Sequence, residues 1–176
     1  FFESAKCKAR KEFEYVYVGS INKRRTVQAF LQGFKDGRHK GRILLIGKVD
    51  NEIHQAFAAV PSITFAGEID YFDVAREASS ALYGVNLMPP VYPYIYQTST
   101  KVLEYIAMGL DVISTDYSWI RGFQDVEHAR FFILKPGQRL DPEELVTYPF
   151  IRPSVERYRW KNVIRRAGIE EFIYGL

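Results

Sequence analysis

The chain has 176 residues, 47% of them hydrophobic and 26% charged, which is enough for one domain with a full core, too few for two ordinary ones, and unlike a disordered or fibrous chain. Its formal net charge is only +3 and Cys7 is its single cysteine, which excludes an internal disulfide framework and a cysteine-built metal site. No apolar run approaches the roughly 20 residues that span a bilayer and the N-terminus lacks the apolar core of a secretory leader, so a cytoplasmic protein is expected.

Short apolar runs alternate with segments of helical period, the pattern of repeated βαβ units and a parallel sheet covered on both faces. Tyr15 to Gly19 reads as a first strand, followed by a helix that places Val27, Phe30, Leu31 and Phe34 on one stripe. Ile43 to Gly47 is a second strand, Glu52 to Ala59 a short helix, Ile63 to Gly67 a third strand and Tyr71 to Ser79 another helix. Ala81 to Met88 is strand-like. Pro89, Pro90 and Pro93 then predict an extended loop to about Thr98, since proline withholds an amide and fixes φ.

Ser99 is placed to cap a helix that ends at Gly109, and Leu110 to Thr115 is the next buried strand. Phe131 to Leu134 reads as the last strand. Asp141-Pro142-Glu143-Glu144 opens a short helix with a cap, a proline at its first position and acids in its first turn. Beyond Pro153 the chain closes with a basic amphipathic helix holding Trp160, Val163, Ile164 and Ala167 on one stripe.

Two segments carry candidate chemistry. Gly19-Ser20-Ile21-Asn22-Lys23-Arg24-Arg25 leaves a strand and runs into a helix start, where free amides, a close-approach glycine and cations suit a phosphate; a solvated basic turn has the same composition. In Thr98-Ser99-Thr100-Lys101-Val102-Leu103-Glu104-Tyr105-Ile106-Ala107-Met108-Gly109, Lys101, Glu104 and Met108 share one helix face while Val102, Leu103 and Ile106 can pack on the sheet. A surface ion pair is the alternative. After a long loop, however, a cation and a carboxylate one turn apart at a helix start suit a diphosphate followed by a ribose diol. His39, His54 and His128 share no ligand spacing, so no metal site is expected, and no Walker loop or nucleophile elbow is present.

Four segments, "YVGSINKRR", "ITFAGEIDYFDVAREASSALYGVNLMPP", "STKVLEYIAMGLDVISTD" and "RYRWKNVIRRAGIEEFI", in this order, resemble the C-terminal donor-binding domain of family-four glycosyltransferases, the retaining GT-B enzymes. The resemblance covers nearly the whole chain, and the third segment is the most specific. The loop composition resembles that of members that build bacterial surface polysaccharides. The resemblance implies a Rossmann-like, doubly wound α/β domain with a mostly parallel sheet and helices on both faces. It spans 1–176 as one nucleotide-sugar-binding domain, with 1–13 as linker and start and 154–176 as a C-terminal amphipathic helix. The N-terminal acceptor domain is expected to be missing, with the catalytic residues expected there, so the isolated domain should be inactive alone.

By the same resemblance Glu104 takes the ribose hydroxyls, Gly19, Ser20, Lys23, Arg24 and above all Arg25 approach the phosphates, and Thr98, Ser99, Thr100 and Lys101 embrace them. The backbone at Ile69 meets the base. Tyr96 stands where many members carry a sugar-contacting glutamate, and Ser20 where many carry an arginine. The implied activity is hexosyl transfer from a UDP- or GDP-linked sugar, without a further cofactor, to a glycan or lipid-linked acceptor in polysaccharide biosynthesis. The implied partner is the protein's own N-terminal domain; the basic residues of the closing helix add peripheral contact with the inner face of the cell membrane as a further expectation, and no nucleic acid is expected. The alternatives are a GT-B nucleotide-sugar epimerase and a non-catalytic nucleotide-binding or interaction module.

Overall fold

The structure, a computed structural model, describes residues 10–22 and 26–168. Six strands form one sheet: β1 (Phe13–Val18), β2 (Ile43–Ile46), β3 (Ile63–Gly67), β4 (Ala81–Asn86), β5 (Asp111–Thr115) and β6 (Phe132–Leu134). Their order is β3-β2-β1-β4-β5-β6 and every neighbouring pair is parallel. A strand such as Ile43-Leu44-Leu45-Ile46 can be apolar at every position because helices cover both faces of the sheet.

One face carries α1 (Val27–Lys35) and α2 (Asn51–Phe57). Their buried Val27, Phe30, Leu31, Phe34, Ile53 and Phe57 pack with Tyr15, Tyr17, Ile43, Leu45, Tyr83 and Val85 of the strands. The four-residue stripe expected on α1 is buried in full, and each such side chain contributes roughly 1.5–3 kcal/mol. The opposite face carries α3 (Tyr71–Ala78), α4 (Thr100–Ala107) and α5 (Ser118–Glu127), packed on Val16, Leu44, Ile46 and Val112.

The chain winds outward from β1 through β2 to β3, then crosses the sheet and winds the other way from β4 to β6. The C-terminal ends of β1 and β4 therefore diverge into a crevice, the place where doubly wound sheets take their ligands.

Three differences from the sequence reading concern local structure. The 118–127 segment, for which the sequence predicts no element, is the helix α5. The proline-rich loop is not extended throughout, since Tyr94–Tyr96 forms a turn of 3₁₀ helix. The closing helix begins later than Pro153: a 3₁₀ turn at Glu156–Tyr158 precedes α7 (Trp160–Arg166), on which Val163 and Ile164 are half-buried while Trp160 is exposed. The predicted short helix is α6 (Pro142–Leu145), with the Asp141 side chain accepting from the Glu143 amide.

Candidate functional site

At the β1 end of the crevice the chain turns through Gly19, whose φ of +128° lies outside the range of most side chains. Its amide donates to Ile46 O at 2.8 Å, which holds the turn against the end of β2. The loop after β2 comes so close that a Cβ on Gly47 would stand 2.4 Å from the Gly19 carbonyl oxygen, so the two loops meet backbone to backbone. Tyr17, fully buried two residues earlier in β1, donates its hydroxyl to Ser20 O at 3.2 Å.

Across the crevice, α4 is held from three sides. Ser99, the cap expected from the sequence, accepts from the Val102 amide at 3.4 Å and donates to Asn86 Oδ1 at 3.0 Å. The Asn86 amide donates to Ser114 Oγ at 3.0 Å and to the Tyr117 hydroxyl at 3.2 Å. All four side chains are buried, so the network joins the ends of β4 and β5 to the start of α4. Burial pushes the Tyr117 hydroxyl up to about 12, against the hydrogen bonds from Asn86 and Ser99. Farther along the helix, Tyr105 is completely buried; its hydroxyl accepts from the Val18 amide at 2.9 Å and donates to Val85 O at 3.3 Å.

This anchoring aims Lys101 back across the switch point. Its ammonium lies 4.2 Å from the centre of the Tyr17 ring, and a side chain at Gly19 would begin 3.6 Å from it. The face of the ring attracts the cation electrostatically and holds it near the helix start. Glu104, one turn on, is half-buried, and burial pushes its carboxyl above the ordinary carboxylate range against the pull of Lys101. Tyr71, at the start of α3, lies close enough for the Glu104 charge to reinforce burial in raising its hydroxyl.

On the β2–β3 side of Gly19 the crevice continues into a cavity of about 280 Å³ lined by Gly19, Ser20, Gly47, Lys48, Glu68 and Ile69, among others. Thr98 and Thr100 are exposed at the loop and helix start, and Tyr96 is exposed in its turn. Lys23, Arg24 and Arg25 lie outside the described residues. Of the expected donor-site residues, the structure thus gathers Gly19 with Lys101 and, in the adjoining cavity, Gly19 with Ser20 and Ile69. Ser99 is present in position, but its side chain faces inward to Asn86.

The family model described as glycosyl transferases group 1 matches residues 12–147. This chain belongs to that family.

The fold of this group 1 glycosyl transferase chain is that of the C-terminal half of a GT-B enzyme. AviGT4, a glycosyltransferase involved in avilamycin A biosynthesis, superposes with a TM-score of 0.62 at 16% identity, over 94% of this chain and 52% of that one. HepE of Anabaena, in complex with UDP and glucose, gives 0.63 at 15% identity, over 92% and 48%. The C-terminal domain of the group 1 family protein LpcC of Francisella tularensis gives 0.50 at 14% identity, over 78% and 73%. The chain thus spans about half the length of the first two of these structures. No curated protein matches it.

Sequence reasoning passed over Tyr105 and Asn86, the two side chains that hold α4 in place. A signal for Tyr105 was present: Gly84 inside an otherwise apolar strand marks a close approach, which the Tyr105 ring makes. A larger cavity of about 590 Å³ lies at the same sheet edge on the α1 face, lined by Thr26, Phe30, His39, Met88, Leu134 and Lys135, among others. It contains none of the expected donor-site residues. The groups suited to a diphosphate converge instead at Gly19 and Lys101, where the candidate site is placed. Among the described residues no group of three or more His, Cys, Asp or Glu gathers as metal ligands, and no helix is long and apolar enough to cross a membrane.

Proposed function

We propose that this chain binds a nucleotide-diphosphate sugar, UDP- or GDP-linked, in the crevice between β1 and β4 for retaining hexosyl transfer to a glycan or lipid-linked acceptor in polysaccharide biosynthesis. The observation that carries this reading is the Lys101 ammonium, brought from α4 over the Tyr17 ring and against Gly19. A diphosphate lying there meets that cation, the amides at the start of an eight-residue helix and the close-approach backbone of Gly19. Lys23, Arg24 and Arg25 extend the positive field along the sequence from the β1 loop.

As the bond between the sugar and the diphosphate breaks, negative charge grows on the leaving nucleoside diphosphate, and donors fixed in advance around it lower the barrier without reorganising. Lys101 and the α4 amides perform that task. Thr98 and Thr100 stand at the mouth of the loop with hydroxyls available to phosphate oxygens, and Ser99 holds the helix start from behind. Glu104 accepts from the ribose hydroxyls, the backbone at Ile69 flanks the base, and Tyr96 lies on the sugar side of the loop. The acceptor and the remaining catalytic residues would come from an N-terminal domain facing this edge across a cleft, so this domain alone is expected to bind without turning over. The basic face of α7, with Arg165 and Arg166, turns toward the inner surface of the cell membrane.

Titration calorimetry with UDP, GDP and their sugar conjugates tests the reading. One nucleoside diphosphate binds, and Glu104→Ala and Arg25→Ala each weaken it several-fold. Absence of binding to the folded chain, or equal affinity in all three proteins, refutes the donor site.

A further inference from the structure

The cavity beside Gly19 has a floor of backbone and a wall of aliphatic carbon. Gly19 and Gly47 form the floor, packed too tightly for a side chain at position 47, and Ile69 and Val74 form the wall. Glycine backbone and aliphatic side chains suit the face of an aromatic ring and offer its edge few polar groups. The charged side chains lining it are Lys48 and Glu68. Their placement follows from the sheet. The Gly47 amide donates to the Gly67 carbonyl at 2.8 Å, which sets the loops after β2 and β3 side by side, and each of these glycines is followed directly by one of the two charged residues. A three-proton donor and a two-oxygen acceptor, both exposed, therefore line the same cavity from adjacent loops.

We propose that Lys48 and Glu68 read the edge of the nucleobase and select guanine, which makes the donor a GDP-linked sugar; this rests on the crevice being a nucleoside diphosphate site. Guanine presents an acceptor, O6, beside two donors, N1–H and the 2-amino group. The Lys48 ammonium donates to O6, while the two Glu68 carboxylate oxygens take N1–H and the amino group in a bidentate, charge-assisted pair. Uracil presents acceptor, donor, acceptor, so with N3–H on Glu68 one carbonyl oxygen faces a carboxylate oxygen. Adenine offers the carboxylate a single donor group and leaves its second oxygen without a partner. A site whose polar groups are matched to one edge penalises the others through the groups left unpaired.

The test is calorimetric titration of the chain with GDP, UDP and ADP, repeated on Glu68→Gln, Lys48→Met and Glu104→Ala, with folding of each checked by circular dichroism. GDP is expected to bind at least about tenfold more tightly than UDP or ADP. Glu68→Gln is expected to erase that preference by weakening GDP while UDP holds or gains, because a carboxamide can give one hydrogen bond and accept another. UDP binding as tightly as GDP, weakened by Glu104→Ala, overturns the guanine assignment and leaves the donor site standing. A GDP preference unchanged in Glu68→Gln and Lys48→Met also overturns it. Failure of all three nucleotides to bind the folded chain overturns the donor site and the base assignment together.

Discussion

The ring of Tyr105 occupies the space that any side chain on residue 84 would need: a Cβ on Gly84 would lie 2.3 Å from the Tyr105 ring. The two residues meet where β1 and β4 begin to part. The last paired positions of these strands are Val16 and Gly84. Beyond them the Tyr105 hydroxyl stands between the Val18 amide and the Val85 carbonyl, serving both. The sheet thus opens toward the crevice without leaving those backbone groups unsatisfied.

Gly84→Ala is expected to destabilise the chain by about 1–3 kcal/mol, since the ring is walled in and cannot yield without moving α4. Tyr105→Phe keeps the packing but removes the partner of the half-buried Val18 amide and one partner of the buried Val85 carbonyl, a loss of about 1–3 kcal/mol. Urea unfolding followed by circular dichroism measures both; a loss under 0.5 kcal/mol in either variant would contradict the bridging role.

Lys101→Met should preserve the fold, because the apolar stem remains over Tyr17, and should weaken nucleoside diphosphate binding by about 10- to 100-fold. It should also flatten the salt dependence of affinity, since part of the charge facing the phosphates is gone. Titration at low and moderate salt reads both effects. An unchanged salt dependence would remove Lys101 from the phosphate site.

Donor affinity should fall on acidification earlier than an ordinary carboxylate would cause. Burial raises the Glu104 carboxyl, and only its ionised form is a full acceptor for a ribose diol. Affinity is therefore retained above that raised value and lost as the pH falls through it. Glu104→Gln, which does not titrate, is expected to bind weakly at every pH and to lack this inflection. The comparison is a series of titrations at stepped pH on the two proteins.

Stability should show its own acid limb, set by His39. The ring is buried against Phe30, Phe34 and Gly33, and its Nδ1 accepts the Leu140 amide at 3.2 Å. Burial, helped by Arg38 and opposed by Asp36, lowers its pKa from 6.5 to about 4. Between these values the unfolded chain binds the proton and the folded chain does not, so stability is complete above pH 6.5 and declines as the pH falls toward 4. The full loss amounts to roughly 3 kcal/mol. Thermal melts at neutral pH and near pH 4.5 should show the fall in the wild type and a smaller one in His39→Gln.

Most of the sheet was legible because buried strands and α1 announce themselves in period and composition. The helix α5 was not. Its ten residues bury only Ile120 and Phe123, Gly122 interrupts them, and Tyr117 at its start makes no side-chain cap, so neither stripe nor start signal appears. The site divides in the same way. Lys101 and Glu104 stand out as charges at a helix start, and Ser99 as a cap. Asn86 and Tyr105 read as members of apolar runs, because what matters about them is a partner 13 to 87 residues away. Contacts of that range leave no local period in the sequence.

The buried chain of hydroxyls and amide linking Ser99, Asn86, Ser114 and Tyr117 has a consequence for binding entropy. The loop that would wrap a diphosphate ends on a residue already locked into the core, so the helix start keeps its direction whether or not a ligand is present. The ordering of those amides is settled when the protein folds, so a phosphate bound there as proposed would meet donors in place instead of having to recruit them.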